Sequence, residues 1–395
     1  MAAMFISNIG RNAFFAGMAW IALVETNSLQ AVALLLLVSS LAEFLSSGVS
    51  GYLADIFSKR RFALVSDIGR SAVLLATGLL EAAGLGVWVL FLSMAIYSAF
   101  DRGYLTAMQA MIPRLVGKDG VVAVNSASYL MMQSGNFVGA LLVGWLLHTV
   151  PRGTALAMLS GIFVMSGVAI LFHREAGYAG FQPLTEPAPS WRQAVAWRNV
   201  TEHRLLMVTI CYSAILAVGV LINTLLSGYV LKELQGSSVL FGRLESGWAL
   251  GSVAICLCLA IGIGAGLAGR GLLRHLAGSG LALLALLLLS HPILSFAMFV
   301  LLGAFYNACR VAVDVEIQRA VPLNLIGRAK GTVQTIATGF GLLIYALVAV
   351  VTEFVSASTV FGAYGLFIIV VSCVLALVIR RNPRDGCTEA DIHVE

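Results

Sequence analysis

Residues 30–61 read QAVALLLLVSSLAEFLSSGVSGYLADIFSKRR, and this stretch decides the fold. Positions 30–54 form an apolar run with one charge, Glu43. A bilayer core about 30 Å thick takes about 20 apolar helical residues to cross, and the run meets that length. It ends in Asp55 and a basic cluster, Lys59, Arg60 and Arg61. A basic cluster is what a membrane span leaves on its cytoplasmic side. A second apolar run, 63–82, follows at once, so the basic residues sit in a short link between two spans of opposite direction.

Outward from this pair the pattern recurs along the whole chain. Twelve spans are predicted, at 4–24, 30–54, 63–82, 86–112, 121–147, 153–172, 204–228, 239–263, 271–290, 292–317, 327–351 and 357–380. No segment of soluble-domain size is left over. Composition agrees: of 395 residues, 59% are hydrophobic and 11% charged, with a net charge of +5. Soluble domains carry about 25% charged residues. Too few charges remain to cover a water-soluble surface, which excludes a soluble enzyme, a disordered regulator and a nucleic-acid-binding domain. The six cysteines form no CxxC pair, and the six histidines form no ligand pair, so neither a disulfide framework nor a metal site is expected. Arg11 interrupts the first run and no cleavage-type small residues follow it, so it reads as a span and not a leader. No GxxxxGK[ST] loop occurs, which disfavours ATP as the energy source.

Lys and Arg set the orientation. One set of loops holds 17 of them, and the opposite set only Arg152 and Lys232. That split places both termini in the cytoplasm of a bacterial-type inner membrane. The longest polar connection, 173–203, contains Pro183, Pro187 and Pro189. It reads as a cytoplasmic linker between halves 1–172 and 204–380, with 381–395 as a tail. Its end, Trp191 to Val200, reads either as a solvated loop or as a short amphipathic helix on the membrane.

The halves repeat. A shift of 209 residues lays 97–113 on 306–322, matching Tyr97 to Tyr306, Ala99 to Ala308, Gln109 to Gln318 and Pro113 to Pro322. Six-helix halves repeated in parallel are the build of the major facilitator superfamily. The loop Gly51-Tyr-Leu-Ala-Asp55-Ile-Phe-Ser58-Lys59-Arg60-Arg61 resembles that superfamily's G-x-L-A-D-x-x-G-R-K loop, with Ser58 in place of the glycine. Asp67 and Arg70 resemble its accompanying polar pair. Met111-Ile-Pro113-Arg-Leu-Val with Asn125-Ser126, and Gln318-Arg-Ala-Val-Pro322 with Gly327-Arg328, resemble the drug/proton antiporter branch that includes macrolide-efflux and enterobactin-exporter proteins. Gly135, Gly139 and Gly144 resemble that branch's span-five motif, but Ala140 stands where its proline would be. Gly262, Gly264, Gly266 and Gly269 resemble a degenerate second copy of the loop, and read otherwise as packing glycines.

The resemblance implies an all-α membrane protein of twelve helices in two pseudo-symmetric halves. It further implies a monomeric secondary transporter with no cofactor beyond a proton gradient, a small-molecule substrate and the lipid bilayer as partners. The loop residues Gly51, Asp55, Lys59, Arg60, Arg61, Asp67 and Arg70 would latch the halves on the cytoplasmic side in the outward-facing state.

Embedded charge marks the pathway, because an ionisable group at mid-bilayer costs at least ~2.5–3.5 kcal/mol unless it meets a partner or water. The candidates are Asn8, Arg11 and Asn12 in span one, Glu43 in span two, Asp101 and Arg102 in span four, and Arg310 and Asp314 in span ten. Embedded carboxylates can carry protons, since desolvation favours their neutral form. Arg11 and Glu43 are read alternatively as a structural ion pair. Arg243 and Glu245 read as snorkelling charges at the outer edge of span eight. The shift places Asp101 opposite Arg310, which suggests an outer gate formed in the inward-open state. The competing reading pairs Asp101 with Arg11 and Arg310 with Asp314. Proton-coupled export of an amphipathic drug-like or siderophore-like compound is the leading function. Uptake of an anionic metabolite, lipid flipping, and a receptor or interaction protein that transports nothing are the alternatives.

Overall fold

A computed structural model describes residues 2–172, 203–260, 271–288, 291–320 and 326–381. The linker residues 173–202, the glycine-rich stretch 261–270 and the tail 382–395 lie outside them.

Among the described residues the chain is helical throughout. The helices are α1 (Ala2–Thr26), α2 (Leu29–Ile56), α3 (Lys59–Ala82), α4 (Trp88–Thr149), α5 (Arg152–Leu171), α6 (His203–Gly228), α7 (Ser238–Ala260), α8 (Leu272–Leu288), α9 (Pro292–Ala320), α10 (Ile326–Val351) and α11 (Ala357–Arg381). A single π turn, Tyr229–Glu233, extends α6. Eight of the described segments are long and apolar enough to cross a membrane on their own.

One helix departs from the expected pattern. Spans four and five follow one another without a break as the two arms of α4, which is 62 residues long. Straight, it would reach about 93 Å at about 1.5 Å per residue. It cannot be straight. Asp101 on its first arm bonds Arg11, and Gly139 on its second arm lies against the Ile9 carbonyl and Asn12, one turn of α1 away. The arms therefore run antiparallel, and the chain reverses between Tyr104 and Gly135.

The short link of the quoted stretch is built by helix capping. Ser58 has φ −61° and accepts from the Arg61 N–H at 3.3 Å, so it starts α3 as an N-cap. That conformation needs no glycine, and the hydroxyl satisfies an otherwise orphaned N–H. The link at the other end of α3 uses Gly84 and Gly86, both at positive φ.

Internal symmetry appears in the packing. Gly78 of α3 and Gly153 of α5 each face the other's carbonyl oxygen, and Gly280 of α8 and Gly365 of α11 do the same in the second half. These are spans three with six and nine with twelve. The closest approach lies between α7 and α9, where a Cβ on Gly251 would meet the Val300 carbonyl and one on Gly303 the Trp248 carbonyl. Backbone cannot yield there as a side-chain tip can. Gly251→Ala is expected to lower stability by about 1–3 kcal/mol. Gly161→Ala, on α5 with open space at its Cβ, is expected to leave the melting temperature of the purified protein level or slightly raised. Equal melting temperatures for the two variants would show that the α7–α9 contact is looser than this.

Candidate functional site: a polar cavity between the halves

The halves meet most tightly at the end away from the basic loops. There Gly144 on the second arm of α4 packs on Gly242 and the Ser238 carbonyl of α7. Leu29 of α2 fills the space beside Gly228 of α6, and Trp20 lies 5.2 Å from Phe241. Lys232 donates to the Asn27 carbonyl at 2.7 Å across the same seam. At the basic end, Gly48 and Gly51 of α2 and Gly331 of α10 have open space where a Cβ would stand. Between the halves lies a cavity of about 410 Å³, lined by α1, α2, α4, α6, α7, α9 and α10. That size suits a small organic molecule.

Four of the predicted pathway residues line this cavity: Arg11, Asn12, Glu43 and Arg310. The other four do not. Asn8 is buried against Gly135 and donates back to the Met4 carbonyl at 2.7 Å. Arg102 points to α2 and donates to Ser47 at 3.0 Å. Asp314, half-exposed, pairs with the exposed Lys330 at 2.8 Å. Asp101 is fully buried behind the cavity wall.

Asp101 is the hub of the first half. One oxygen accepts from Arg11 Nε at 2.7 Å and the other from Arg70 Nη1 at 2.9 Å. Arg70 also donates to Ser7 and Asp67, and its guanidinium lies 4.0 Å from the Tyr104 ring and 4.6 Å from Phe163. Asp67 in turn accepts from Ser166 at 2.8 Å. Every charge in this cluster is paired, the condition for holding ions in a low-dielectric interior. Glu43 stands at its cavity edge, 4.0 Å from Arg11 and about a third exposed.

The proposed outer gate is not formed. The seam away from the basic loops is closed, yet Asp101 is held by Arg11 and Arg70 and is not within ion-pair distance of Arg310. Pairing within one half wins because α1 and α3 flank the first arm of α4 directly. The other half of the competing reading also fails, since Asp314 takes Lys330 in place of Arg310.

Glu245 also differs from expectation. It lines the cavity and accepts from Asn12 Nδ2 at 3.2 Å, a hydrogen bond that crosses from one half to the other. Arg243 is exposed, as a snorkelling residue would be. Residues two positions apart on a helix, such as Arg243 and Glu245, are about 200° apart around its axis, so one pointing to lipid sends the other inward. That angle was the signal in the sequence.

Of the loop residues, Arg60 donates to the Leu171 carbonyl at 2.5 Å, closing the C-terminal end of α5. Asp67 and Arg70 serve the buried cluster. The side chain of Asp55 lies outside the described residues. Gly135 and Gly139 let α4 approach the α1 backbone at Phe5 and Ile9. The second glycine cluster, Gly262 to Gly269, lies outside the described residues. No group of three or more His, Cys, Asp or Glu among the described residues could hold a metal.

Two helical halves around a polar cavity, sealed at one end, define a membrane transporter. Residues 1–346 match the family described as Major Facilitator Superfamily, and the chain belongs to it. It is 22% identical over 360 residues to an uncharacterized MFS-type transporter, YfiS, of Bacillus subtilis (strain 168), covering 87% of this chain and 83% of that protein. Its fold is similar to that of a variant of the nucleoside transporter NupG, with a TM-score of 0.72 at 14% identity over 96% of this chain and 97% of the other. It is equally similar to a variant of the peptide transporter POT, with a TM-score of 0.72 at 16% identity over 97% and 94%.

Proposed function

We propose that this chain is a proton-coupled exporter of an amphipathic organic compound, working by alternating access in a bacterial inner membrane with both termini in the cytoplasm. The supporting observation is the placement of Glu43. It faces the cavity, and its only ion-pair partner among the described residues is Arg11 at 4.0 Å. Arg11 has a shorter bond to Asp101. Glu43 can therefore take up a proton without stranding a buried cation, whereas protonating Asp101 would take the shorter of Arg11's two carboxylate contacts and leave Arg70 with Asp67 alone. Glu245, held by an amide and by no cation among the described residues, offers a second carboxyl on the opposite half. The export direction follows the resemblance of the Met111 and Gln318 stretches to drug/proton antiporters. In that orientation the sealed end faces outward, and the cavity is reached from the cytoplasm.

The test is flux in proteoliposomes with an imposed pH gradient, using a macrolide and a catecholate siderophore as probes. Transport of either against its own gradient, driven by protons moving the other way, is expected. Equal flux with and without the pH gradient for both probes would overturn the coupling.

The basic loop would act as a latch in the outward-facing state. Asp55→Asn is then expected to shift the population further toward inward-open. Cysteines introduced at Gly48 and Gly331 should label faster from the cytoplasmic side in that variant. Unchanged labelling in a normally folded variant would reduce the loop to a topology signal.

A further inference from the structure

The internal symmetry is broken at one charge. In the first half, Asp101 is neutralised by Arg11 from α1 and Arg70 from α3. Its counterpart in the second half is Arg310, and the helices equivalent to α1 and α3 are α6 and α8. Neither carries an acidic residue, and nor does α10. Asp314, one turn along α9, is already paired with Lys330. Arg310 therefore lines the cavity with no carboxylate in ion-pair distance among the described residues. Its neighbours are aromatic and neutral: the guanidinium carbon lies 5.6 Å from the Tyr306 ring and 5.8 Å from the Tyr129 ring. Tyr306 leans on Trp248 at 4.8 Å, so a flat aromatic wall continues from the cation into the cavity. Tyr129 donates to Asn307, and Tyr212 donates to Gln334 at 2.5 Å; their oxygens can still accept from the guanidinium, but these neighbours are neutral and supply no counter-charge.

A cation this deep in a membrane is costly unless something compensates it, and here the protein supplies rings where the other half supplies counter-ions. A guanidinium presents a planar fork that fits a carboxylate in two parallel hydrogen bonds. We infer that Arg310 is the anion-binding pole of the substrate site, and that the substrate is an organic acid whose carboxylate sits on Arg310 while a flat apolar body lies along Tyr306 and Trp248. The inference rests on the transport reading and narrows it to one substrate class.

The test is equilibrium binding to the full-length protein in detergent, by calorimetric titration with no gradient present. The probes are naphthalene-2-carboxylate, its neutral carboxamide and 2-naphthylmethylamine. In the wild type the carboxylate should bind at least tenfold more tightly than the amide, and the amine most weakly. Arg310→Gln should erase the preference between acid and amide, and Arg310→Lys should restore part of it. If Arg310→Gln fails to fold, Gln334→Glu places a carboxylate beside the same cluster without removing the arginine and should also erase the preference. No acid preference in the wild type, including no saturable binding of any probe, overturns the inference, as does a preference that survives in Arg310→Gln. Because binding is read without a gradient, failure here leaves the flux test of Glu43 intact, and failure of coupling leaves this measurement intact.

Discussion

Asp101→Asn is expected to lose most of the folded protein. The carboxylate is fully buried and its two oxygens accept from two arginines, Arg11 and Arg70. Removing one member of a buried ionic cluster leaves uncompensated charge, a penalty of about 3–5 kcal/mol. That is a large share of a typical total stability of about 5–15 kcal/mol. Yield of monodisperse protein after detergent extraction, with its melting temperature, measures the effect. Arg102→Gln is the comparison: it sits one residue along, outside the buried cluster, and gives up a hydrogen bond to Ser47. It should fold nearly as well as the wild type. The double exchange Asp101→Arg with Arg310→Asp should not recover function, because it would put a third cation beside Arg11 and Arg70. Recovery by that exchange, or a wild-type melting temperature for Asp101→Asn, would mean that the cluster is not the hub of the first half.

Glu43→Gln should separate stability from coupling. The Arg11–Glu43 contact is long and about a third exposed, so its loss costs no more than about 1 kcal/mol. The melting temperature should hardly move. Gradient-driven transport should behave differently. Each pH unit supplies about 1.4 kcal/mol per proton, so a two-unit gradient can drive about a hundredfold accumulation at one proton per substrate. With a side chain that cannot release a proton, accumulation should fall to about equilibrium while exchange of substrate across the membrane continues. The pH dependence of substrate binding near neutrality should flatten in the same variant. Full accumulation by Glu43→Gln would move the proton site elsewhere, with Glu245 the next carboxyl to replace.

Much of this architecture was legible before any coordinates. Hydropathy is a property of each segment by itself, so a run such as 30–54 announces a span whatever it packs against. The basic residues Lys59 to Arg61 mark an end of a span for the same reason. The Tyr97 and Tyr306 match exposed the repeat, and the paired glycine crossings at Gly78 with Gly153 and Gly280 with Gly365 carry it into three dimensions. Arg11, Asn12, Glu43 and Arg310 were found as candidates because polar groups in apolar runs are conspicuous, and all four line the cavity.

Partnership was not legible in the same way. Asp101 lies 90 residues from Arg11, and nothing local says whether it turns to α1, to α3 or across to α9. The repeat suggested Arg310, but helix neighbours within one half decide the outcome, since pairing there costs no movement of one half against the other. Glu245 looked like an edge charge until α7 was seen to turn it toward Asn12. Residue chemistry and hydropathy thus determined the membrane spans and several of the embedded charges, Arg11, Glu43, Asp101 and Arg310 among them, but misplaced Asp314 and Glu245. Tertiary structure alone decided which of those charges are neutralised and which, like Arg310, are left facing the cavity, because charge compensation depends on distances of a few ångströms between helices far apart in the chain.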